Sequence, residues 1–221
     1  MNFVFDFGAV LFTWKPADLM AQCFPQRAGT PEAAAALAHA LFAHADWNGF
    51  DQGTVAMDVL IKRTSERLDL DAQVLRELVE HIGERLTPIP ETVALLKQLH
   101  ALRAQQPDVR LYYLSNMPQP YARELERRHA FLQCFDGGIF SSDVLHIKPS
   151  PVIYQLLQSR YALEPSRTLF IDDLQANVLA ARAQGWHAFQ FESADQLEIH
   201  IVTQFGFLTS TPAKTKSKMA R

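Results

Sequence analysis

Four ordered sites along the 221-residue chain carry side chains whose types can together do chemistry. They are Asp6, the Ser115-Asn116 pair, Lys148, and the Asp172-Asp173 pair. An ionised carboxylate can act as a nucleophile, a hydroxyl can donate to an anionic oxygen, and a lysine supplies a fixed positive charge. Adjacent carboxylates repel each other and therefore need a cation. Hard oxygen ligands of this kind suit Mg²⁺.

Three of these sites come directly after short apolar runs, which are typical of buried strands. The runs 3–5, 111–114 and 168–171 precede Asp6, Ser115 and Asp172. Open parallel sheets bind their ligands at the carboxyl ends of the strands. We therefore expect these polar side chains to meet at one edge of a sheet.

Helices and strands alternate in the pattern from Glu91 onward, which is typical of a parallel sheet covered on both faces. Strands are predicted over 109–114, 138–140, 168–171 and 187–191, and helices over 91–105, 120–130, 151–161 and 176–184. The first strand, over 3–6, belongs to the same sheet. The predicted fold class is α/β, with a Rossmann-like three-layer parallel-sheet core.

The segment between the first strand and residue 86 shows helical patterns alone. Thr30-Pro31-Glu32 is typical of a helix start, and the Ala-rich segment 33–45 continues that helix. Apolar residues recur at spacings of three and four over 74–86. We interpret this block as an α-helical cap inserted into the core. The predicted division is a core of 1–14 plus 87–208, a cap of 15–86, and a flexible tail of 209–221.

Composition and charge exclude several classes of protein. Apolar residues at 48% and charged residues at 20% are ordinary for a globular domain, and a net charge of −3 gives no reason to expect a nucleic-acid or membrane partner. Cys23 and Cys134 are too few for a disulfide framework, and we expect both to be reduced. No signal peptide or membrane span is recognisable, so we expect a cytoplasmic protein. The pattern does not indicate an oligomeric state.

The order of these motifs resembles the haloacid dehalogenase-like hydrolase superfamily, over nearly the whole chain. The likeness rests on the segments 5–11, 114–116, 148–154 and 170–178. They look most like small phosphatases of the superfamily that carry a helical cap of the C1 type. The resemblance implies a Mg²⁺-dependent phosphatase that hydrolyses a small phosphorylated metabolite through an aspartyl-phosphate intermediate.

The resemblance also implies a role for each matched residue. Asp6 is the nucleophile, Ser115 and Lys148 complete the catalytic set, and these two bind the phosphate together with Asn116. The implied metal ligands are Asp6, the backbone carbonyl of Gly8, Asp173, and Asp172 either directly or through water. Asn177 is expected to support the last loop, and Trp14, Trp47 and Phe50 are candidates for lining the substrate pocket.

Gly8 departs from the usual pattern, because most phosphatases of the superfamily carry a second Asp there as general acid and base. Such help is typically worth about 10²–10⁴ in rate. A subgroup with Gly at this position includes sugar-phosphate phosphatases. One hypothesis is therefore a substrate with a good leaving group, such as an anomeric sugar 1-phosphate. A second is that His146, two residues before Lys148, donates the missing proton.

Two other functions stay open at this level. Metal-independent 2-haloacid dehalogenases also use a first-motif Asp and a Ser-Asn pair, but they lack paired acids like Asp172-Asp173. The third hypothesis is a non-catalytic binding or regulatory module on the same fold, against which the retention of Asp6 and Lys148 weighs. Specificity is expected to lie in the cap, where the pattern shows no readable binding motif.

Overall fold

The computed structural model describes residues 1–206, and a five-stranded parallel sheet forms its centre. The strands are β1 (Asn2–Phe5), β2 (Arg110–Ser115), β3 (Gly137–Phe140), β4 (Thr168–Asp172) and β5 (His187–Gln190). Their order across the sheet is β3-β2-β1-β4-β5. Phe5 pairs in register with Tyr113 and Ile171, so the three central strands end at one edge. The predicted α/β class is confirmed.

Helices cover both faces of this sheet, as the alternating pattern predicts. They are α1 (Pro16–Cys23), α2 (Pro31–Phe42), α3 (Ala45–Asp51), α4 (Met57–Leu68), α5 (Ala72–Arg85), α6 (Pro90–Leu102), α7 (Gln119–Arg128), α8 (Ser141–Val144), α9 (Pro151–Tyr161), α10 (Gln175–Ala183) and α11 (Ala194–Phe205). Alternate residues of β1 face opposite sides. Val4 packs in the cluster of α9 and α10, while Phe3 and Phe5 pack in that of α6 and α11.

Helices α1 to α5, which we call the helical block, lie between β1 and α6 in the chain. The two connections to the block run side by side, because Thr13 N donates to Thr87 O and Ile89 N donates to Leu11 O, each at 2.8 Å. Apolar residues of the block belong to the same cluster as one face of the sheet. The division into core and cap domains at 14/15 and 86/87 stays a prediction.

The structure corrects the helix predicted to run from Thr30 through Ala45. This helix ends at Phe42, and α3 begins separately at Ala45. The cause is local, since His44 Nδ1 accepts a hydrogen bond from Asp46 N at 3.1 Å and so caps the new helix.

Helices α8 and α11 were not predicted from the sequence. Helix α11 begins where Ser193 Oγ accepts from Gln196 N, and it packs Leu197 and Ile201 into the core. Cys23 and Cys134 are both free thiols. Within residues 1–206 no helix has the length and apolarity needed to cross a membrane. The predicted tail, 209–221, lies outside the described residues.

Candidate active site

Asp6 follows β1 and stands at the carboxyl edge of the sheet. Its backbone N donates to Ile171 O at 2.9 Å, and Phe7 N donates to Asp6 Oδ1 at 2.7 Å. The chain then turns tightly, because the N–H groups of residues 10, 11 and 12 all donate to Phe7 O, at 3.3, 2.9 and 2.8 Å. The turn holds a carboxyl group that is only 7% exposed in a fixed position.

The Phe7 ring anchors this turn in an aromatic cluster beneath the site. Its centroid lies 5.2 Å from the rings of Tyr113 and Phe140 and 5.4 Å from that of Phe12. Because Phe7 is fully buried, its neighbour Gly8 faces the opposite way and lines the cavity. The apolar residues around Asp6 therefore serve to hold its loop.

Lys148 joins the acids of two neighbouring strands. Its Nζ lies 2.8 Å from Asp6 Oδ1 and 2.7 Å from Asp172 Oδ2. Burial alone lowers the pKa of Lys148, but the two carboxylates outweigh it and hold the pKa above its usual value. Asn116 fixes the lysine backbone, since its Oδ1 accepts from Lys148 N at 2.8 Å and its Nδ2 donates to Lys148 O at 3.1 Å.

Asp172 is fully buried and uses both carboxylate oxygens in hydrogen bonds. Asn177 Nδ2 donates to both of them at 3.0 Å, and Leu174 N donates to Oδ1 at 2.9 Å. With Lys148 on Oδ2, this carboxylate is surrounded by donors. Its geometry is that of a residue that orients the lysine, while Asp173 is the acid of the pair that lines the cavity.

The three acids at this edge carry more negative charge than Lys148 compensates. Asp6, Asp172 and Asp173 each offer an oxygen, and these oxygens lie within 4.8 Å of one another. Burial raises the pKa of Asp6 to about 7, against the opposing effect of Lys148. Burial and then the neighbouring Asp172 raise the pKa of Asp173 to about 6. A divalent cation fits this site, because it would relieve the excess charge with oxygen ligands.

A cavity of about 260 Å³ opens above these residues, and its two sides differ in chemistry. The floor consists of the polar residues of the sheet edge, Asp6, Gly8, Ser115, Asn116, Lys148 and Asp173. The wall consists of residues from the helical block and its connections, Trp14, Phe42, Trp47, Asn48, Asp51, Ile82 and Leu86. The predicted site residues, Asp172 apart, thus lie together on the floor.

The structure separates the candidates that the sequence left open on the wall. Trp14 and Trp47 line the cavity, whereas Phe50 packs between Trp47 and Tyr121 with ring centroids at 5.6 and 5.7 Å. His146 is not among the described residues that line the cavity. Asp51 was missed, although its place four residues after Trp47 sets both side chains on one helix face.

This chain belongs to the haloacid dehalogenase-like hydrolase family, whose profile matches residues 2–185. The protein is therefore an enzyme of hydrolase type, and the hypothesis of a non-catalytic module has no support. The matched range includes every residue of the floor and the whole helical block.

Curated relatives and solved structures agree with this family. A sesquiterpene phosphatase of Aspergillus oryzae is 26% identical over 183 residues, which cover 82% of this chain and 85% of that protein. A phosphoglycolate phosphatase of Vibrio vulnificus is 23% identical over 145 residues, which cover 60% of this chain and 61% of that protein.

Two solved structures show the shared fold. An L-2-haloacid dehalogenase of Xanthobacter autotrophicus has a TM-score of 0.65 at 22% identity, with 92% of this chain and 82% of that chain covered. A haloacid dehalogenase family enzyme of Bacteroides thetaiotaomicron, in complex with magnesium and inorganic phosphate, has a TM-score of 0.65 at 17% identity, with 89% and 98% covered.

Proposed function

We propose that this hydrolase is a Mg²⁺-dependent phosphatase in which Asp6 attacks the phosphorus atom of a small phosphate monoester. The observation that carries the proposal is the buried Lys148 between Asp6 and Asp172, with Asp173 beside them at the cavity. Such a site attracts a phosphate group and a cation to the same edge of the sheet. The phosphatase relatives support the same reaction class.

Each residue of the floor has a task in this reaction. Lys148 stabilises the ionised form of Asp6 and balances the charge of phosphate oxygens as the transfer proceeds. The Ser115 hydroxyl donates to a phosphate oxygen. Asn116 positions Lys148 through two hydrogen bonds to its backbone, and phosphate binding by Asn116 itself stays a prediction.

The metal ligands follow from the same geometry. Asp6, the carbonyl of Gly8 and Asp173 would hold Mg²⁺, because all three residues line the cavity. Asp172 would act on the metal through water, since its oxygens already accept from Lys148, Leu174 and Asn177. When bound, Mg²⁺ supplies positive charge next to the phosphate.

The wall favours an alcohol that is largely apolar over a sugar. Its polar side chains are Asn48 and Asp51, and the others are aromatic or aliphatic. The hydroxyl groups of a sugar would lose water there without enough partners, which is unfavourable. The cavity volume of about 260 Å³ lies just below the usual ~300–1,000 Å³ of small-molecule pockets, so the substrate is compact. The sesquiterpene phosphatase relative fits this preference.

A screen of phosphate monoesters with and without Mg²⁺ tests the proposal. The panel contains short alkyl and prenyl phosphates, sugar 1- and 6-phosphates, and phosphoglycolate. We expect phosphate release that chelation by EDTA abolishes, with the alkyl and prenyl esters turned over fastest. Asp6→Asn should be inactive. The matched control Asp108→Asn changes an exposed acid at the start of β2 and should retain full activity. No hydrolysis of any ester would contradict the proposal.

A metal-independent dehalogenase is the second candidate, since a haloacid dehalogenase shares this fold. Asp173 argues against it, because a cavity-lining acid within reach of Asp6 has no use in a reaction without a cation. Halide release from 2-chloropropionate in the presence of EDTA would reverse the choice. We expect no such release.

A further inference from the structure

One carboxyl group of the cavity lies on the wall, apart from the acids of the floor. Asp51 is the last residue of α3, and its carboxyl accepts a hydrogen bond from the Trp47 indole one turn earlier. Its charge interacts with Lys148 and Asp6 across the cavity. Asp51 therefore faces the nucleophile from the side where the alcohol part of a substrate would lie.

Hydrogen bonds to the sheet edge fix the end of α3 in this place. Ser141 Oγ, just after β3, donates to Asp51 O and accepts from Met117 N at 2.8 Å. The next residue repeats the contact, since Gln52 Nε2 donates to Leu145 O at 2.6 Å. Because Met117 follows Ser115 and Asn116, the backbone of Asp51 is tied to the same loop that forms part of the floor.

The surroundings of Asp51 favour its neutral form at neutral pH. Burial raises its pKa to about 8, Lys148 and the Trp47 hydrogen bond oppose this shift, and Asp6 adds to it. Tyr121, on α7, also interacts with the Asp51 charge. A carboxyl with such a pKa can donate a proton and take it back near pH 7.

Two other candidate proton donors are excluded by their contacts. Tyr121 lines the cavity, but its hydroxyl donates to Val79 O at 2.6 Å and so is already engaged. His146 is not among the described residues around the cavity. Lys148 is held between Asp6 and Asp172 and serves as a charge.

We propose that Asp51 is the general acid and base of this enzyme and takes the task that Gly8 leaves open. The proposal rests on the phosphatase function proposed above. The helical block then does more than select the substrate, because it brings one of the reacting protons.

The two chemical steps balance around Asp51. In the first, an Asp6 carboxylate oxygen bonds to phosphorus while the bond from phosphorus to the alcohol oxygen breaks. That oxygen keeps the electron pair, takes the Asp51 proton and leaves as the alcohol. In the second, the Asp51 carboxylate takes a proton from water, whose oxygen bonds to phosphorus as the aspartyl-phosphate bond breaks. Phosphate leaves, and Asp6 and Asp51 return to their starting forms.

Single-turnover kinetics with Asp51→Asn test this assignment in the Mg²⁺-loaded full chain. The quantity measured is the rate of alcohol release, from an alkyl phosphate and from p-nitrophenyl phosphate. An alkoxide needs a proton to leave, whereas p-nitrophenolate leaves without one. We expect release from the alkyl ester to fall by about 10²–10⁴ and release of p-nitrophenolate to fall by less than about tenfold. Equal losses on both esters would overturn the proposal.

Two controls separate this result from misfolding and from failure of the proposed function. Asp46→Asn makes the same change at the start of α3, where the acid pairs with Arg63, and should leave both rates unchanged. Asp51→Glu should restore part of the alkyl-ester rate, and thermal melting should show both Asp51 variants folded. If wild type hydrolyses neither ester, the phosphatase function itself fails. If only the leaving-group dependence is missing, the role of Asp51 alone is wrong.

Discussion

The floor and the wall of the cavity are built on opposite principles. The floor is a set of charges that cancel one another, with Lys148 between Asp6 and Asp172 and each backbone held by hydrogen bonds. The wall is mainly apolar and carries a single carboxyl group, Asp51. The floor can act on any phosphate group, whereas the wall contacts only what the phosphate is attached to. Changes to the floor should therefore affect all substrates, and changes to the wall should discriminate between them.

Lys148→Met should have the largest effect of any floor substitution short of the nucleophile. It leaves the carboxylates of Asp6 and Asp172 buried without their cation, and breaking such a pair costs about 3–5 kcal/mol in the free energy of unfolding. We expect no measurable phosphatase activity on any ester. Urea unfolding of the metal-free protein should show a deficit that shrinks from pH 8 to pH 5, because protonation removes the uncompensated charge.

The control for this substitution is Lys97→Met on α6, where the lysine is exposed. That variant should match wild type in activity and within about 0.5 kcal/mol in stability. A Lys148→Met protein with wild-type stability at pH 8 would show that Lys148 does not balance the buried acids.

The affinity of the floor for Mg²⁺ should depend steeply on pH. Without metal, the pKa of Asp6 is raised to about 7 and that of Asp173 to about 6, so Mg²⁺ must displace protons below these values. The dissociation constant should rise by about tenfold per pH unit below pH 7, and more steeply below pH 6. Titration calorimetry between pH 5 and 8 measures it. A constant affinity over this range would contradict the assignment of these two ligands.

Ser141→Ala should weaken the attachment of the wall to the floor. It leaves Met117 N and Asp51 O without their shared partner, and each orphaned group costs about 1–3 kcal/mol. We expect a lower melting temperature and a larger loss of rate on alkyl esters than on p-nitrophenyl phosphate. Ser142→Ala is the control, because the described residues offer its buried hydroxyl no hydrogen-bond partner. Similar melting of both variants would count against the attachment.

Trp14→Ala should have the smallest effect and should reveal the selectivity of the wall. The removed ring lines the cavity beside Phe42, at a centroid distance of 4.9 Å. We expect KM for alkyl and prenyl phosphates to rise about tenfold, the scale of a lost apolar contact in a pocket. KM for phosphoglycolate should stay near the wild-type value. Equal changes for both classes of ester would place the alcohol elsewhere.

The same contrast explains how much of the protein can be predicted from its sequence. The floor is readable because its residues follow apolar strands, so a period of two and a parallel sheet place Asp6, Ser115 and Asp172 at one edge. The wall is not readable in this way. Asp51 reaches the cavity only because His44 starts a new helix and Ser141 holds its end, which are contacts between distant parts of the chain.

The missed helices have similar causes. Helix α11 shows apolar residues at Leu197 and Ile201, but polar and charged residues surround them and hide the period. Its start is set by the Ser193 cap, a single hydrogen bond that the pattern alone does not distinguish from a turn. The alanine-rich segment likewise favours one long helix by propensity, while a side-chain cap divides it.

The central claim, that Asp6 becomes phosphorylated, can be tested most directly by trapping the intermediate. Wild type is mixed with the fastest ester of the screen in Mg²⁺, quenched in acid within one turnover, digested and sequenced by mass spectrometry. We predict a phosphoryl group on Asp6, and none in Asp6→Asn under the same conditions. Phosphate release with no labelled enzyme, or a label on another residue that survives Asp6→Asn, would contradict the account.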